Sequence, residues 1–257
     1  MMQYNQKKLT ESTLKNSAIL LAVLVFVYVI LFEFILPYNK VFPKPSILWE
    51  SFISLWDTYT LLSSLLLTLS VVYTSLLVGY IVIHLKSYLV IKMYSEYTGP
   101  IVVPDFLKFF TVIFFAVLFN LWFPESSIAE FVFGIITCAL LIYSVFNKEF
   151  NRLKQEYIDS ALSLGVSKNI VYRKVIYKAM QPGLVKSLIS THLKLWTVVI
   201  IYEFIGGYEG IGLIYRTTFE YNDLAAVAAL GIFIAIIISL MNFLLKTAIN
   251  KSIFWEA

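Results

Sequence analysis

The chain has 257 residues, 60% hydrophobic and 14% charged, with a formal net charge of +4 and a mean hydropathy of +0.81. Soluble domains carry about 25% charged residues, so the composition excludes an ordinary soluble domain and reads as a polytopic integral membrane protein. The basic residues are scattered between apolar runs, with no compact basic domain to hold nucleic acid. The single Cys138 and the isolated His84 and His192 give neither a disulfide framework nor a metal-ligand cluster.

In chain order, residues 1–16 are polar and carry Lys7, Lys8 and Lys15. The apolar run from Ser17 to Pro37 is longer than a secretory core, and no small-x-small cleavage site follows, so a retained first span is expected. Six apolar runs are long enough to cross about 30 Å of hydrocarbon, near 17–37, 59–83, 104–123, 128–146, 187–205 and 225–246. Gly99-Pro100 and Pro104 mark the entry to the third, and "FPESS" joins the third and fourth as a tight hairpin. The expected fold is all-α, with six transmembrane helices. Residues 17–257 would form the membrane domain.

With the N-terminus inside, the outer segments hold only Lys40, Lys44 and Arg216 of the 20 basic residues. This asymmetry places both termini in the cytoplasm. Residues 147–186 then form a large cytoplasmic loop. Ile158, Ala161, Leu162 and Gly165 repeat at helical spacing, and Tyr172, Val175, Ile176 and Ala179 do so again after Ser167, an expected N-cap. Arg173, Lys174 and Lys178 occupy another face. Two short helices hinged at Gly165 and closed by Pro182-Gly183 are expected, either lying on anionic lipid or serving as a docking element.

Three stretches carry a family resemblance. Asp159-Ser160-Ala161, three further residues and Gly165, with Tyr172, Val175 and Pro182 beyond, resemble the Glu-Ala-Ala…Gly loop of ABC importer permeases. Asp159 replaces the family's Glu, Ser160 an Ala, and Lys178 a proline. "VFPKPSILWESFISLW" is similar to the Pro-Ser-Pro segment of nitrate/sulfonate/taurine-type permeases. "EFIGGYEGIGLIYRTTFEYND" resembles their outer glycine segment, at Glu203, Gly206, Gly210 and Gly212. "LWF" at 121–123 lies at the family's distance from Gly165, whereas the third span lacks the family's prolines.

The resemblance implies a type I importer-like fold. It also implies pairing with a second permease subunit, identical or homologous, and a loop at Asp159, Ser160, Ala161, Gly165, Tyr172, Val175 and Pro182 seated on each of two ABC ATPase subunits. A solute-binding protein would deliver cargo from outside a prokaryotic plasma membrane. The chain has no Gly-x-x-x-x-Gly-Lys-Ser/Thr, so ATP and magnesium would sit on the ATPase and the chain itself would hold no cofactor or metal and catalyse nothing. Solutes in the family include oxyanions, sulfonates and heterocyclic vitamin precursors.

Ionisable and polar groups at membrane depth are candidates for the solute path. Asn120, Lys194, Thr197 and Glu203 are the path candidates, with Lys194 able instead to snorkel and Glu203 to hold the outer loop by hydrogen bonds. Glu33 and Glu130 are expected near span ends in reach of water. Gly206, Gly210 and Gly212 are expected as turn formers, and Ser64, Thr68 and Ser75 as a helix-packing stripe. The dense aromatic residues favour an organic, aromatic or heterocyclic solute over a small oxyanion. A membrane-embedded enzyme lacks a paired acid, His or Cys motif. A non-transporting scaffold or sensor that binds an ABC ATPase is the remaining alternative.

Overall fold

The computed structural model describes residues 16, 19–20, 22–36, 42–96, 112–153 and 155–252. The polar segment 1–15, the Gly99-Pro100 and Pro104 entry to the third span, and Lys108 lie outside the described residues. Among those described, every regular element is helical: α1 (Ala22–Ile35), α2 (Pro45–Asp57), α3 (Leu61–Glu96), α4 (Val112–Trp122), α5 (Ser127–Arg152) and α6 (Gln155–Ser163). Then come α7 (Lys168–Gly206), α8 (Ile211–Glu220) and α9 (Leu224–Ser252).

Among the described residues, four stretches are long and apolar enough to cross a membrane: Leu61–Val82, Ser127–Arg152, Lys168–Gly206 and Leu224–Lys251. Shorter apolar helices, Ala22–Ile35 and Ile113–Trp122, stand where the first and third spans are expected. The chain divides into two compact units, one of Met1–Tyr59 with Thr218–Ile232 and one of Thr60–Thr217 with Phe233–Ala257.

In the larger unit, α3, α4, α5 and α7 pack against one another. In hydrocarbon, apolar side chains gain nothing by leaving lipid, so close backbone approach through small residues must supply the packing. The expected hydroxyl stripe does this: Ser64, Thr68 and Ser75 are all buried on α3. Gly134 of α5 meets the same face, where an added Cβ would stand 2.6 Å from Ser75 Oγ and 3.0 Å from Val71. One turn further along α3, a Cβ on Gly79 would stand 2.8 Å from Cys138 Sγ. Phe133 and Tyr202 stack with ring centroids 4.5 Å apart, and with Ala116 and Val198 they form a small core joining α4, α5 and α7.

Two expectations about the 147–186 interval need correction. Residues 147–152 are the last turns of α5 rather than the start of a loop. The second short helix does not close at Pro182-Gly183 but continues to Gly206, with Pro182 inside it. Proline removes one backbone hydrogen bond, but the neighbouring packing of a membrane bundle holds such helices together, and Pro182 is buried here. A π-helical stretch, Val171–Ile176, lies two turns before it. Only 153–167, containing α6, remains between α5 and α7.

The α3–α5 contact yields a direct prediction. Replacing Gly134 by Leu forces side-chain volume into a closed seam, and overpacking of this kind costs about 1–3 kcal/mol. The variant should unfold at lower temperature in detergent, whereas Leu at the exposed Ser144 should leave the transition unchanged.

Candidate functional site

Three groups of residues stand apart: a buried polar knot where α7 meets the glycine segment, a polar face midway along α7, and the Gly165 corner at its far end.

The knot is built on Glu203, which is fully buried. Its Oε1 accepts from the Thr68 hydroxyl at 2.6 Å, and its Oε2 accepts from Gly212 N–H at 2.7 Å. The Thr68 hydroxyl in turn accepts from Ile211 N–H at 3.1 Å. One carboxylate and one hydroxyl thus satisfy two of the open N–H groups at the start of α8 and tie them to α3. Gly207 N–H closes the end of α7 on the Glu203 carbonyl at 2.9 Å. Arg216 reaches back to the Ile205 and Gly207 carbonyls, each at 3.4 Å.

The glycines follow from this knot. Gly210 has φ +104, and a Cβ there would run into the Glu203 carboxyl. A Cβ on Gly212 would meet the Ile200 carbonyl and stand 2.5 Å from Glu203 Cβ, while one on Gly206 would stand 2.8 Å from the Asn120 side chain. Gly206 and Gly212 therefore serve close approach, beyond the turn-forming role expected for them; among the three only Gly210 has a positive φ. Asn120 donates to the Ala116 and Tyr202 carbonyls at 3.0 and 3.3 Å. Its amide group braces α4 against α7 at the rim of a cavity of about 420 Å³ that Tyr208 and Arg216 also line.

Glu130 departs from its expected water-accessible position. It lies in the first turn of α5, 3% exposed, beside Glu203, with Oε1 making no hydrogen bond. A carboxyl at the start of a helix sits in the favourable field of the helix dipole. Thr68, Arg216 and Glu130 belong to the knot and were not among the sequence candidates for it. The hydroxyl stripe on α3 was the available signal for Thr68; Arg216 and Glu130 gave none.

Midway along α7, Ser190, Lys194 and Thr197 are exposed on one side, and Thr191, His192, Leu195, Trp196 and Val199 are buried on the other. His192 is a core group: Trp196 Nε1–H donates to its Nε2 at 2.9 Å, and the Tyr73 hydroxyl lies 3.1 Å from the same nitrogen. Among the described residues no group of three or more His, Cys, Asp or Glu is placed to hold a metal.

At the far end, Gly165 has φ +75 and an added Cβ would meet nothing within 4 Å. Its N–H closes α6 on the Leu162 carbonyl at 2.9 Å. Ser167 occupies the N-cap of α7, although its side chain makes no capping bond. Asp159 and Ser160 are exposed and, with Ser163 and Leu164, line a shallow depression of about 590 Å³. Ala161 and Val175 are half-buried, whereas Tyr172 and Pro182 are buried. The seven loop candidates therefore separate into an exposed group on α6 and the corner, and an inward group on α7.

Residues 17–251 match the family described as binding-protein-dependent transport system inner membrane component. The chain belongs to that family. It is an ABC importer permease with an all-helical membrane fold. A solved structure titled as inward-facing conformations of the MetNI methionine ABC transporter superposes with a TM-score of 0.59 at 16% identity, covering 76% of this chain and 96% of that one. No curated protein matches the permease in sequence.

The knot predicts coupled energetics. Thr68→Val orphans the buried Ile211 N–H and Glu203→Ala the buried Gly212 N–H, at about 1–3 kcal/mol apiece. Because both remove the same network, the double variant should be less destabilised than the sum, with a coupling of about 0.5–3 kcal/mol. Thermal unfolding of the four proteins in detergent measures it, and strict additivity would show that the two side chains act separately.

Proposed function

We propose that this permease moves a small organic anion, carboxylate- or sulfonate-bearing and with an aromatic or heterocyclic body, across a prokaryotic plasma membrane, and that α7 couples the solute path to a separate ATPase. The observation that carries this reading is the single helix Lys168–Gly206. It joins the Gly165 corner, the Ser190–Lys194–Thr197 face and the Glu203 knot. A helix of 39 residues spans about 58 Å at 1.5 Å per residue, enough to run from a cytoplasmic contact through the bilayer to its outer surface.

Lys194 favours an anion. A cation on a membrane helix is costly unless it faces water or a counter-charge, and this one lies on the exposed side of α7, about 18 Å from Gly206 along the axis. Facing a central path shared with a second permease subunit, it would attract a negatively charged solute, with Ser190 and Thr197 supplying hydrogen bonds. The methionine named in the solved neighbour's title is also a small organic solute; its identity does not transfer to this chain.

The Gly165 corner suits ATPase docking. Leu164 is 83% exposed and Leu162 and Ile170 are also exposed, an apolar set on a segment expected in the cytoplasm, where uncovered apolar surface marks an interaction site. ATP and magnesium would sit on two ATPase subunits, and a binding protein would deliver solute to the glycine-segment side.

Four measurements test this. Gly165→Leu adds strain of about 1–2 kcal/mol at φ +75 and bulk on the docking side, so co-purifying ATPase and solute uptake should both fall while membrane insertion persists. Retained docking and transport would sink the coupling role; if the loop merely lies on lipid, neutralising Arg173, Lys174 and Lys178 should matter instead. Lys194→Gln should lower uptake of an organic anion without loss of ATPase, and Lys194→Arg should restore part of it. Saturable nitrate or sulfate uptake by the unmodified complex would overturn the solute class. For orientation, a cysteine at Glu209 should react with an impermeant thiol reagent from outside intact cells and one at Lys168 should not; the reverse pattern removes the proposed topology.

A further inference from the structure

Between the first and second spans the permease carries α2, and the surface of this helix divides into three sectors. At about 100° per residue, Leu48, Ser51 and Leu55 fall on one side, where Ser51 and Leu55 are buried. Ser46, Glu50 and Asp57 fall on a second side, and all three are exposed. Trp49, Ile53 and Trp56, at i, i+4 and i+7, form the third, with Phe52 at its edge. These three are 67%, 48% and 41% exposed. Phe52 links the two tryptophans into a continuous aromatic strip, with ring centroids 5.9 Å from Trp49 and 6.1 Å from Trp56. A soluble surface helix needs two sectors, one for the core and one for water. The third here is apolar, aromatic and partly exposed.

The orientation of α2 on α1 is held by a specific device. Lys44 stands at the N-cap of α2 without a side-chain capping bond. The cap comes instead from Glu33 of α1: its Oε2 accepts from Ser46 N–H at 3.1 Å and its Oε1 from the Ser46 hydroxyl at 3.0 Å. The Tyr28 hydroxyl donates to the Pro43 carbonyl at 2.5 Å, and Phe32 packs on Phe42 with centroids 5.5 Å apart. Glu33 thus neither faces solute nor stands idle at a span end. It holds the first turn of an amphipathic helix against the end of the first span.

We infer that α2 is a membrane-surface anchor, seated by Glu33 so that Trp49, Ile53 and Trp56 enter the headgroup–acyl boundary of the adjoining leaflet. The occupant is the lipid bilayer for two reasons. First, nine residues separate α1 from α2 and three separate α2 from α3, so chain connectivity keeps α2 at the level where a span meets water. Second, the exposed apolar surface of α1, which stands where the first span is expected, runs on through Phe34, Ile35 and Leu36 and reappears at Phe42, so the aromatic strip continues the exposed apolar face of a spanning helix, and such a face meets hydrocarbon. Tryptophan is enriched at this level because its ring is apolar while its N–H keeps a polar partner, and amphipathic helices of this kind lie in the interface plane. The inference does not depend on which side of the membrane the N-terminus occupies.

Spin labels on the full chain, reconstituted in phosphatidylethanolamine–phosphatidylglycerol vesicles in a Cys138→Ala background, test it. A label at Ile53→Cys should be relaxed strongly by oxygen and weakly by a water-soluble nickel chelate, and labels at Glu50→Cys and Asp57→Cys should show the inverse ratio. An Ile53 label as open to nickel as the Asp57 label means that the strip faces water, and one shielded from both reagents means that a second copy or another protein covers it. Either result overturns the anchor. Glu33→Ala should invert the ratio at Ile53 with the chain still membrane-inserted, and Glu33→Gln, which keeps one acceptor oxygen, should lose less. An unchanged ratio in Glu33→Ala removes Glu33 from the device.

Discussion

A carboxyl group inside an apolar bundle is tolerated only where donors meet it, and the geometry around Glu203 follows from that requirement. Its two oxygens take a hydroxyl from α3 and a backbone N–H from the start of α8. To deliver that N–H, the chain between α7 and α8 must fold back over Glu203, leaving no room for side chains at Gly210 and Gly212, while Gly206 is closed off by Asn120. The glycines, the hydroxyl stripe and the acid are therefore one arrangement. Altering the acid would leave the buried Gly212 N–H without its partner, and altering the glycines would push that N–H away from the acid.

Much of this was legible because membrane constraints are severe. Run lengths and charge gave an all-helical membrane protein, and the Asp159…Gly165 and Glu203…Gly212 stretches pointed to the transport family found for residues 17–251. The positive φ at Gly165 agrees with the hinge that its place between two helical patterns suggests. The less legible features depend on which side chains meet across helices. Glu130 and Glu203 are 73 positions apart, and nothing in either local sequence says that they converge. Glu33 looked like an acid near water, yet its partner is the first turn of the next helix. Asn120 stands out in the sequence only as a polar group at membrane depth, and nothing local says that its NH2 meets two backbone carbonyls at the rim of a cavity.

Pro182 shows the limit of local rules in a bundle. In water a proline within a helix argues for a boundary, and the dipeptide Pro182-Gly183 reads as one. The structure carries the helix through, with Met180, Leu184 and Val185 buried on either side of the ring. Tertiary contacts outweigh the lost hydrogen bond. The consequence is mechanical: a boundary there would have separated the Gly165 corner from the span, whereas continuity joins them in one helix.

That continuity also fixes phase. In an unbroken helix each residue advances the side-chain direction by about 100°. An insertion of one residue between Tyr172 and Glu203 would thus rotate the Gly165 corner by about that angle relative to the knot, or swing Glu203 away from Thr68. The segment 153–167 carries no such phase relation, since the corner already interrupts the helix. Over evolutionary drift, length changes should accumulate between α5 and α7 and be purged from α7 itself, so the helix acts as the ruler against which the Gly165 corner and the Glu203 knot are set.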